Sequence, residues 1–421
     1  MSDPLSTKQV SSIVATETKK ISLWVGAVSA GKTIASLFAL LARVRMAQGT
    51  GLIVIVGKTL QTIERNIITP LQDYRLFGVI AKSVVHTRGS NTAWILGKTV
   101  ELVGANDVRS EEKIRGSTIE LAYVDEATLL PLGFWEMLVS RLRTPNPPYL
   151  LATTNPGSKR HWLRLEWILQ AAAKNMQVFH FTMDDNPSLT ADYVRDMKAS
   201  YSGIFYDRFI NGYWTNAEGA VFDAWDEKRH VIKYTDLPRM QRVLGVGIDY
   251  GTTNATSAIL LGLGVDDRLY AIDEWRHDSR AHADAARLTN ASIVKGITGW
   301  LGGIQLPDGS RPSPEWLIID PSAASLRVEL HEQGVINVFS ANNEVIYGIQ
   351  TVSSMLDSGH LYVSEKCTGL INEMSEYVWD PKATERGEDK PLKANDHSVD
   401  ALRYAVTSTE TNWRPYIKLA A

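Results

Sequence analysis

Short apolar runs that end in glycine or polar residues recur through the first half of the chain. They occupy residues 21–25, 51–57, 120–124 and 149–153, and each has the length of a strand. Because they are continuously apolar rather than alternating, they predict strands covered on both faces, as in a parallel sheet. A helical stretch, residues 34–41, follows the first run. The first half is therefore expected to be an α/β domain with a mainly parallel sheet.

The connection between the first run and this helix matches the phosphate-binding pattern G-x-x-x-x-G-K-[ST]. A strand, a glycine turn and a helix start aim backbone N–H groups and the positive end of the helix at a phosphate. We expect Lys32 to reach the β- and γ-phosphates of ATP and Thr33 to ligate Mg²⁺. The residues predicted to bind ATP here are Gly26, Ser29, Ala30, Gly31, Lys32 and Thr33.

Two acidic residues, Asp125 and Glu126, directly follow the run at 120–124. Ligands of open α/β sheets collect at the carboxyl ends of the strands. We therefore expect Asp125 to hold Mg²⁺ at the nucleotide and Glu126 to orient and polarise the attacking water. Alone, such a pair is commonly a solvated turn, and the phosphate-binding loop is what makes it specific.

Polar residues also end the run at 149–153, where Thr153, Thr154 and Asn155 stand in succession. They could hydrogen-bond the γ-phosphate or its water and so sense hydrolysis. The alternative is a plain Asn-Pro-Gly turn.

Phosphoryl transfer also requires a cation on the developing charge. Arg115, Arg141 and Arg143 are the candidates, and Arg115 is preferred. Each alone is more typical of a structural or solvent-facing arginine. Whether the residue acts within its own chain or on a neighbouring subunit stays open.

Three separated aspartates dominate the second half. Asp249 and Asp320 each follow an apolar run, and Asp400 lies on a predicted helix, three residues after His397 on the same face. If the aspartates converge, their oxygens suit Mg²⁺ or Mn²⁺. Two such ions would activate a water and stabilise the leaving 3′-oxygen of a phosphodiester.

Other second-half residues are weaker candidates. His397 could ligate a metal or transfer a proton near neutral pH, although such a histidine is often only a helix cap. Glu274 is a possible fourth acid. The three aspartates could also be unrelated surface residues.

The aromatic stretch at 206–214 predicts a helix end with a glycine stop, packed against a core rather than stacked on bases. A polar stretch follows. We predict a first domain at 1–215, a linker at 216–240 and a second domain at 241–421. The charged segment 380–393 is either a DNA-contacting hairpin or a solvated loop.

Composition narrows the function further. The 421 residues carry a formal net charge of −3, so any nucleic-acid contact must use local basic patches. The single cysteine, Cys367, excludes an intramolecular disulfide and a cysteine-based zinc site. There is no apolar run of membrane-spanning length and no signal-peptide core, so a cytoplasmic protein is expected.

The order of these motifs resembles the large subunit of the DNA-packaging terminase of tailed bacteriophages, from about residue 24 to residue 405. The resemblance implies a P-loop (ASCE-type) ATPase domain followed by an RNase H-like α/β nuclease domain. The motifs that carry it are residues 26–33, 124–127, 153–156, 208–212, 247–251, 319–320 and 397–401.

The family implies a ring of identical subunits at the portal protein of a procapsid, which pumps double-stranded DNA inward and cuts the concatemer. Recognition of a packaging site would come from a small terminase subunit, and the complex would work in the cytoplasm of the infected bacterium without joining the mature virion.

By resemblance, Lys32, Thr33, Asp125 and Glu126 form the ATPase site. Residues 153–155 couple hydrolysis to movement, Arg115 corresponds to an arginine finger acting in trans, and Asp249, Asp320 and Asp400 hold the nuclease metals. The family's loop often carries an arginine, which residues 27–30 lack; this favours a finger from elsewhere.

Two other interpretations remain open. One is an ATP-driven motor or binding protein whose second domain docks DNA or the portal without cutting. The other is a P-loop kinase or a repair ATPase.

Overall fold

The computed structural model describes residues 5–106, 108–251, 255–278 and 288–417. Residues 252–254, which follow the motif at 247–251, fall outside the described residues. Contacts within the chain define two compact units. Unit 1 comprises Met1–Ala191, Tyr206–Asn216 and Glu385–Glu388, and unit 2 comprises Asp192–Phe205, Ala217–Thr384 and Asp389–Ala421. The predicted domain boundaries at residues 215 and 240 stay a prediction.

Unit 1 is built on one sheet, whose strands are continuously apolar where it is most deeply covered. Its strands in the described residues are β1 (Ile21–Gly26), β2 (Leu52–Gly57), β3 (Val84–His86), β4 (Thr92–Ile95), β5 (Lys98–Gly104), β6 (Ile119–Val124), β7 (Tyr149–Thr154) and β8 (Met176–Phe181). They lie in the order β3-β4-β5-β2-β6-β7-β1-β8. Of these neighbours, only the pairs β3–β4 and β4–β5 are antiparallel. Every residue of β1 and β6 is buried, as the apolar runs predict.

Helices cover this sheet, and the longest, α2, directly follows the phosphate-binding loop. The α-helices of unit 1 in the described residues are α1 (Thr7–Ala15), α2 (Lys32–Met46), α3 (Leu60–Ile63), α4 (Thr69–Leu71), α5 (Tyr74–Phe77) and α6 (Leu132–Arg141). Next along the chain come α7 (Ala191–Ala199), which belongs almost wholly to unit 2, and α8 (Gly203–Phe209), which begins in unit 2 and ends in unit 1. Two π-helical segments, Glu64–Ile68 and Leu163–Ile168, interrupt the regular pattern. Trp214 packs against the core of unit 1, as the packing interpretation of residues 206–214 expects.

Unit 2 contains a second, mixed sheet. Its strands among the described residues are β9 (Val231–Ile232), β10 (Met240–Asp249), β11 (Thr256–Gly264), β12 (Leu269–His277), β13 (Leu317–Ile319), β14 (Val338–Ser340) and β15 (Leu361–Ser364). Their order is β14-β13-β10-β11-β12-β15-β9. Strands β10, β11 and β12 form an antiparallel meander, and the other pairs are parallel. The central strand β11 is buried along its whole length.

One helix of unit 2, α15, lies directly across β10 and β11. The helices of this part are α9 (Glu227–His230), α10 (Asn290–Gly303), α11 (Ala324–Glu332), α12 (Val345–Asp357), α13 (Thr368–Glu376), α14 (Pro381–Glu385), α15 (His397–Ser408) and α16 (Glu410–Trp413). At Gly247 of β10, a Cβ atom would overlap the carbonyl oxygen of Ala401 on α15. Glycine therefore allows α15 to sit close against the strand that ends at Asp249.

The charged segment 380–393 contains α14 and closes on itself through a hydrogen bond from the Asp380 N–H to the Lys390 carbonyl, 2.9 Å. Among the described residues, no helix has both the length and the apolar character that crossing a membrane requires.

Candidate ATPase and nuclease sites

The phosphate-binding loop has the backbone that its glycines predict. Gly31, the N-cap of α2, has a φ of 78°, which costs little in a residue without Cβ. Ser29 also has a positive φ, 52°. Two amides hold the loop carbonyls: Asn186 Nδ2 donates to the Ser29 oxygen at 2.7 Å, and Gln9 Nε2 donates to the Gly31 oxygen at 3.2 Å.

The beginning of the loop is also braced. The Ala27 N–H donates to the Phe181 carbonyl at 2.9 Å, and the Val28 N–H donates to the Phe209 carbonyl at 2.8 Å. Phe209 belongs to the motif at 208–212, which thus contacts the loop directly.

Lys32 is buried at the centre of this site. Its Nζ donates to the carbonyl oxygens of Gly26 (3.0 Å) and Ala27 (2.5 Å) and to Asn155 Oδ1 (2.8 Å). Burial lowers the pKa of Lys32 to about 8, although the charges of Glu126 and Asp125 act to raise it. Thr33 lies in the first turn of α2, beside this lysine.

The acidic pair lies at the end of β6. Asp125 accepts hydrogen bonds from Asn66 Nδ2 at 2.9 Å and from Thr153 Oγ1 at 3.2 Å. Glu126 has a φ of 51°, and its carboxylate accepts bonds from the backbone N–H and the Nδ2 of Asn155, both at 3.1 Å. Burial raises the pKa of each carboxyl group above its ordinary value.

The sheet order explains how these groups meet. Strand β7 lies between β6 and β1, so its polar end lies between the acidic pair and the loop. One Asn155 side chain bonds both Lys32 and Glu126. Thr153 and Asn155 bond the acidic pair with their side chains, whereas Thr154 Oγ1 bonds Thr128, 2.9 Å away.

Among the described residues, no hydrogen bond or ion pair connects Arg115, the predicted arginine finger, to this site. Arg115 is exposed, and its guanidinium forms no hydrogen bond or ion pair with them. Arg141 contacts Met137 Sδ, and Arg143 contacts the Ser117 carbonyl.

Sequence reasoning missed Asn66, the partner of Asp125. It lies in the π-helical segment Glu64–Ile68, and Arg65 Nε donates to its Oδ1 at 3.0 Å. No pattern marks a single asparagine 59 positions before the aspartate it contacts.

In unit 2, parallel pairing of β10 and β13 brings Asp249 and Asp320 to the same sheet edge, and α15 adds Asp400. Burial raises the pKa of Asp249, and the charges of Asp400 and Asp320 add to this effect. Tyr404 donates to Asp320 Oδ2 at 3.0 Å, and all three aspartate charges act on this tyrosine. The charges of the three aspartates therefore act on one tyrosine, and their joint role in holding a metal stays a prediction.

Basic side chains of the chain face these aspartates. His397 Nδ1 lies 2.7 Å from Asp249 Oδ2, and this bond raises the pKa of His397. Asp400 is paired with Lys393 at 3.1 Å and with Arg403 at 3.0 Å. Burial acts to raise the pKa of Asp320, but hydrogen bonds from Ser322 and Tyr404 bring it below the ordinary value.

The donor set fits a hard divalent cation. The three carboxylates offer oxygen ligands, which Mg²⁺ and Mn²⁺ prefer. In the described residues, however, no group of three or more His, Cys, Asp or Glu side chains is already arranged to hold a metal. Lys393 and Arg403 instead supply positive charge at Asp400, so a metal would have to share that carboxylate with them.

Glu274, the weaker fourth acid, has other partners. Its Oε2 accepts from the N–H groups of Gly369 (2.7 Å) and Leu370 (3.1 Å), and its Oε1 accepts from Ser398 Oγ (2.5 Å).

Comparison with known proteins agrees with this two-part architecture. The family model "Terminase large subunit, T4likevirus-type, N-terminal" matches residues 23–229, and the model "Terminase RNaseH-like domain" matches residues 246–409. The terminase large subunit of Escherichia phage T5 is 23% identical over 353 residues, which are 79% of this chain and 75% of that protein.

A solved structure is similar along nearly the whole chain. The large terminase of a thermophilic bacteriophage is 32% identical, with a TM-score of 0.82, and the match covers 96% of this chain and 99% of that one. The same phage protein has also been solved with ADP (TM-score 0.83, 32% identical) and with ATP-γ-S (TM-score 0.82, 31% identical), with the same coverage.

This is a two-unit α/β protein with a P-loop ATPase fold and an RNase H-like fold. The chain belongs to the family of phage terminase large subunits, the enzymes that package DNA. The predicted family, fold class and enzyme class, an ATPase with an RNase H-like nuclease domain, are confirmed. The roles of individual residues stay predictions.

Proposed function

We propose that Lys32, Thr33, Asp125 and Glu126 hydrolyse ATP and that Asp249, Asp320 and Asp400, with His397, cut the packaged DNA. The observation that carries the first half is the Asn155 side chain, which bonds both Lys32 and Glu126. Phosphate oxygens arriving at Lys32 would compete for that amine. Its contact with Asn155 would then change, and with it the position of Glu126.

Each residue of the ATPase site has a definite task in this proposal. The loop amides and Lys32 bind the phosphates, and Thr33 and Asp125 would hold Mg²⁺, which would neutralise charge on the phosphates when bound. Glu126 orients the attacking water. Residues 153–155, fixed to β7, transmit the change at the γ-phosphate to the rest of unit 1.

In the nuclease site, Asp249, Asp320 and Asp400 would hold Mg²⁺ or Mn²⁺, which would supply an activated water and stabilise the leaving oxygen. His397 keeps the Asp249 carboxylate oriented and can hold a proton beside it. Tyr404 keeps one oxygen of Asp320 in place.

One pair of variants tests both halves on the same preparation. E126Q should still bind ATP but hydrolyse it at least about 100-fold more slowly, since it loses the group that orients the water. D249A should abolish plasmid cleavage in Mn²⁺ and keep ATP hydrolysis. The exposed residues Glu112 and Asp357 supply matched controls, E112Q and D357A.

Two results would contradict the proposed roles. Full hydrolysis by E126Q would remove Glu126 from its role. A wild type that cuts plasmid no better than D249A would favour the alternative, a motor whose second domain docks DNA or the portal without cutting.

Arg115 is proposed to act on the ATP of a neighbouring subunit in a ring, because its side chain is exposed and unpaired among the described residues. Mixing inactive K32A and R115A chains should then restore part of the ATP hydrolysis. No recovery, under conditions in which the wild type assembles, would contradict action in trans.

The remaining partners are proposed from family membership: double-stranded DNA, a small terminase subunit and the portal protein of a procapsid, in the cytoplasm of an infected bacterium. ATP hydrolysis by the wild type should therefore rise when DNA and procapsids are added together.

A further inference from the structure

The start of helix α15 is held by a glutamate from another helix. Glu373, on α13, is only 3% exposed. Its Oε2 accepts from the N–H groups of Ser398 at 2.6 Å and Val399 at 3.1 Å, which belong to the first turn of α15. The N-cap residue of α15, Asp396, makes no capping bond with its side chain. Glu373 therefore satisfies amides that the helix itself leaves open.

Arg276, on β12, completes this anchor. Its Nη1 lies 2.5 Å from Glu373 Oε1 and 2.6 Å from Ser398 Oγ. The same serine hydroxyl bonds Glu274 on β12 and lies 2.9 Å from Ser257 Oγ on β11. We define these four side chains, Glu373, Arg276, Ser398 and Glu274, as the α15 anchor.

The α15 anchor acts on the turn that carries two predicted nuclease residues. His397 directly precedes Ser398, and Asp400 follows it by two positions. Fixing the N–H groups of residues 398 and 399 fixes the backbone of that turn. It thereby sets the directions in which His397 and Asp400 leave the helix.

We propose that Glu373 and Arg276 are positioning residues of the nuclease site, which hold Asp400 and His397 in register with Asp249 for a divalent cation. This inference rests on the proposed nuclease function. The buried ion pair alone would be weak support, since such pairs often serve folding only. The contacts of Glu373 with the α15 amides direct its effect to the metal-binding turn.

The test compares E373Q with E376Q, which changes an exposed glutamate on the same helix. Mn²⁺ binding would be followed by the electron paramagnetic resonance signal of free Mn²⁺. Thermal unfolding and ATP hydrolysis would be measured on the same samples. We expect E373Q to weaken Mn²⁺ affinity about tenfold, as loss of a supporting residue behind metal ligands typically does. E376Q should match the wild type, and ATP hydrolysis should be unchanged in both.

An E373Q protein that unfolds at a lower temperature but binds Mn²⁺ like the wild type would overturn the inference, since the anchor would then serve folding alone. If E373Q fails to fold, S398A decides, because it removes the bridging hydroxyl and keeps both charges. It should weaken Mn²⁺ binding less, and wild-type affinity in S398A would be contrary. If the D249A variant binds Mn²⁺ as tightly as the wild type, that result would instead contradict the proposed nuclease function itself.

Discussion

The two candidate sites neutralise their carboxylates in different ways. At the ATPase site, the central cation is a buried lysine, held by loop carbonyls and by Asn155, and the charge of Arg65 also acts on Asp125. At the nuclease site, Asp400 has both Lys393 and Arg403, and Asp249 has His397. Both sites are collected from segments far apart in sequence, but in the first a single side chain, Asn155, bonds both Lys32 and Glu126. Replacing a shared contact should therefore affect the first site most strongly.

Of three changes that test this comparison, the largest effect is expected at Asn155, whose side chain joins Lys32 and Glu126. N155A should reduce the rate of ATP hydrolysis about 100-fold, the loss typical of a preorganised polar group in an active site. Mn²⁺ binding at the nuclease site should be unchanged. Steady-state hydrolysis assays would measure this, with N146A in an exposed loop as the control. A loss no larger than that of the control would mean that the contact is dispensable.

The next largest effect, on stability, is expected from the close packing of α15 against β10, the strand that ends at Asp249. G247A places a methyl group against the Ala401 carbonyl and should lower the free energy of unfolding by about 1–3 kcal/mol. The same change at Gly299, on α10, meets open space and should raise stability by up to about 1 kcal/mol. Denaturant unfolding would compare the two. Equal effects would show that α15 can move away from β10 without cost.

The smallest effect is expected for K393A, a variant that tests whether Lys393 competes with a metal for Asp400. K393A should raise Mn²⁺ affinity about threefold, because it removes a cation from a carboxylate that the metal needs, and the exposed lysine is partly screened by solvent. K382A, an exposed lysine of the same segment, is the control. Weaker Mn²⁺ binding in K393A would mean that the lysine instead helps to arrange the carboxylates.

Sequence reasoning succeeded where the signal was local. The continuous apolar runs predicted β1, β6 and β7, and the glycine pattern predicted the loop before α2. The end of β10 also fell at Asp249, as expected. Each of these features is determined by residues that are adjacent in the sequence, so one sequence is enough to predict it.

The contacts that complete each site could not be predicted in this way. Asn66 reaches Asp125 and Glu373 reaches Ser398 only because the folded chain brings distant segments together. Likewise, nothing in the sequence assigns Lys393 to Asp400 rather than to solvent, whereas Arg403, three residues after Asp400 on the same helix, has the spacing of an ion pair. The candidate ligands could be selected by residue type and position, but the side chains that support them could not.

The left-handed backbone at Glu126 has a wider consequence. A non-glycine residue pays for a φ of 51°, and glycine would relieve the strain while deleting the carboxylate. Selection for a more stable fold would thus favour glycine at position 126, whereas selection for faster ATP hydrolysis would favour glutamate.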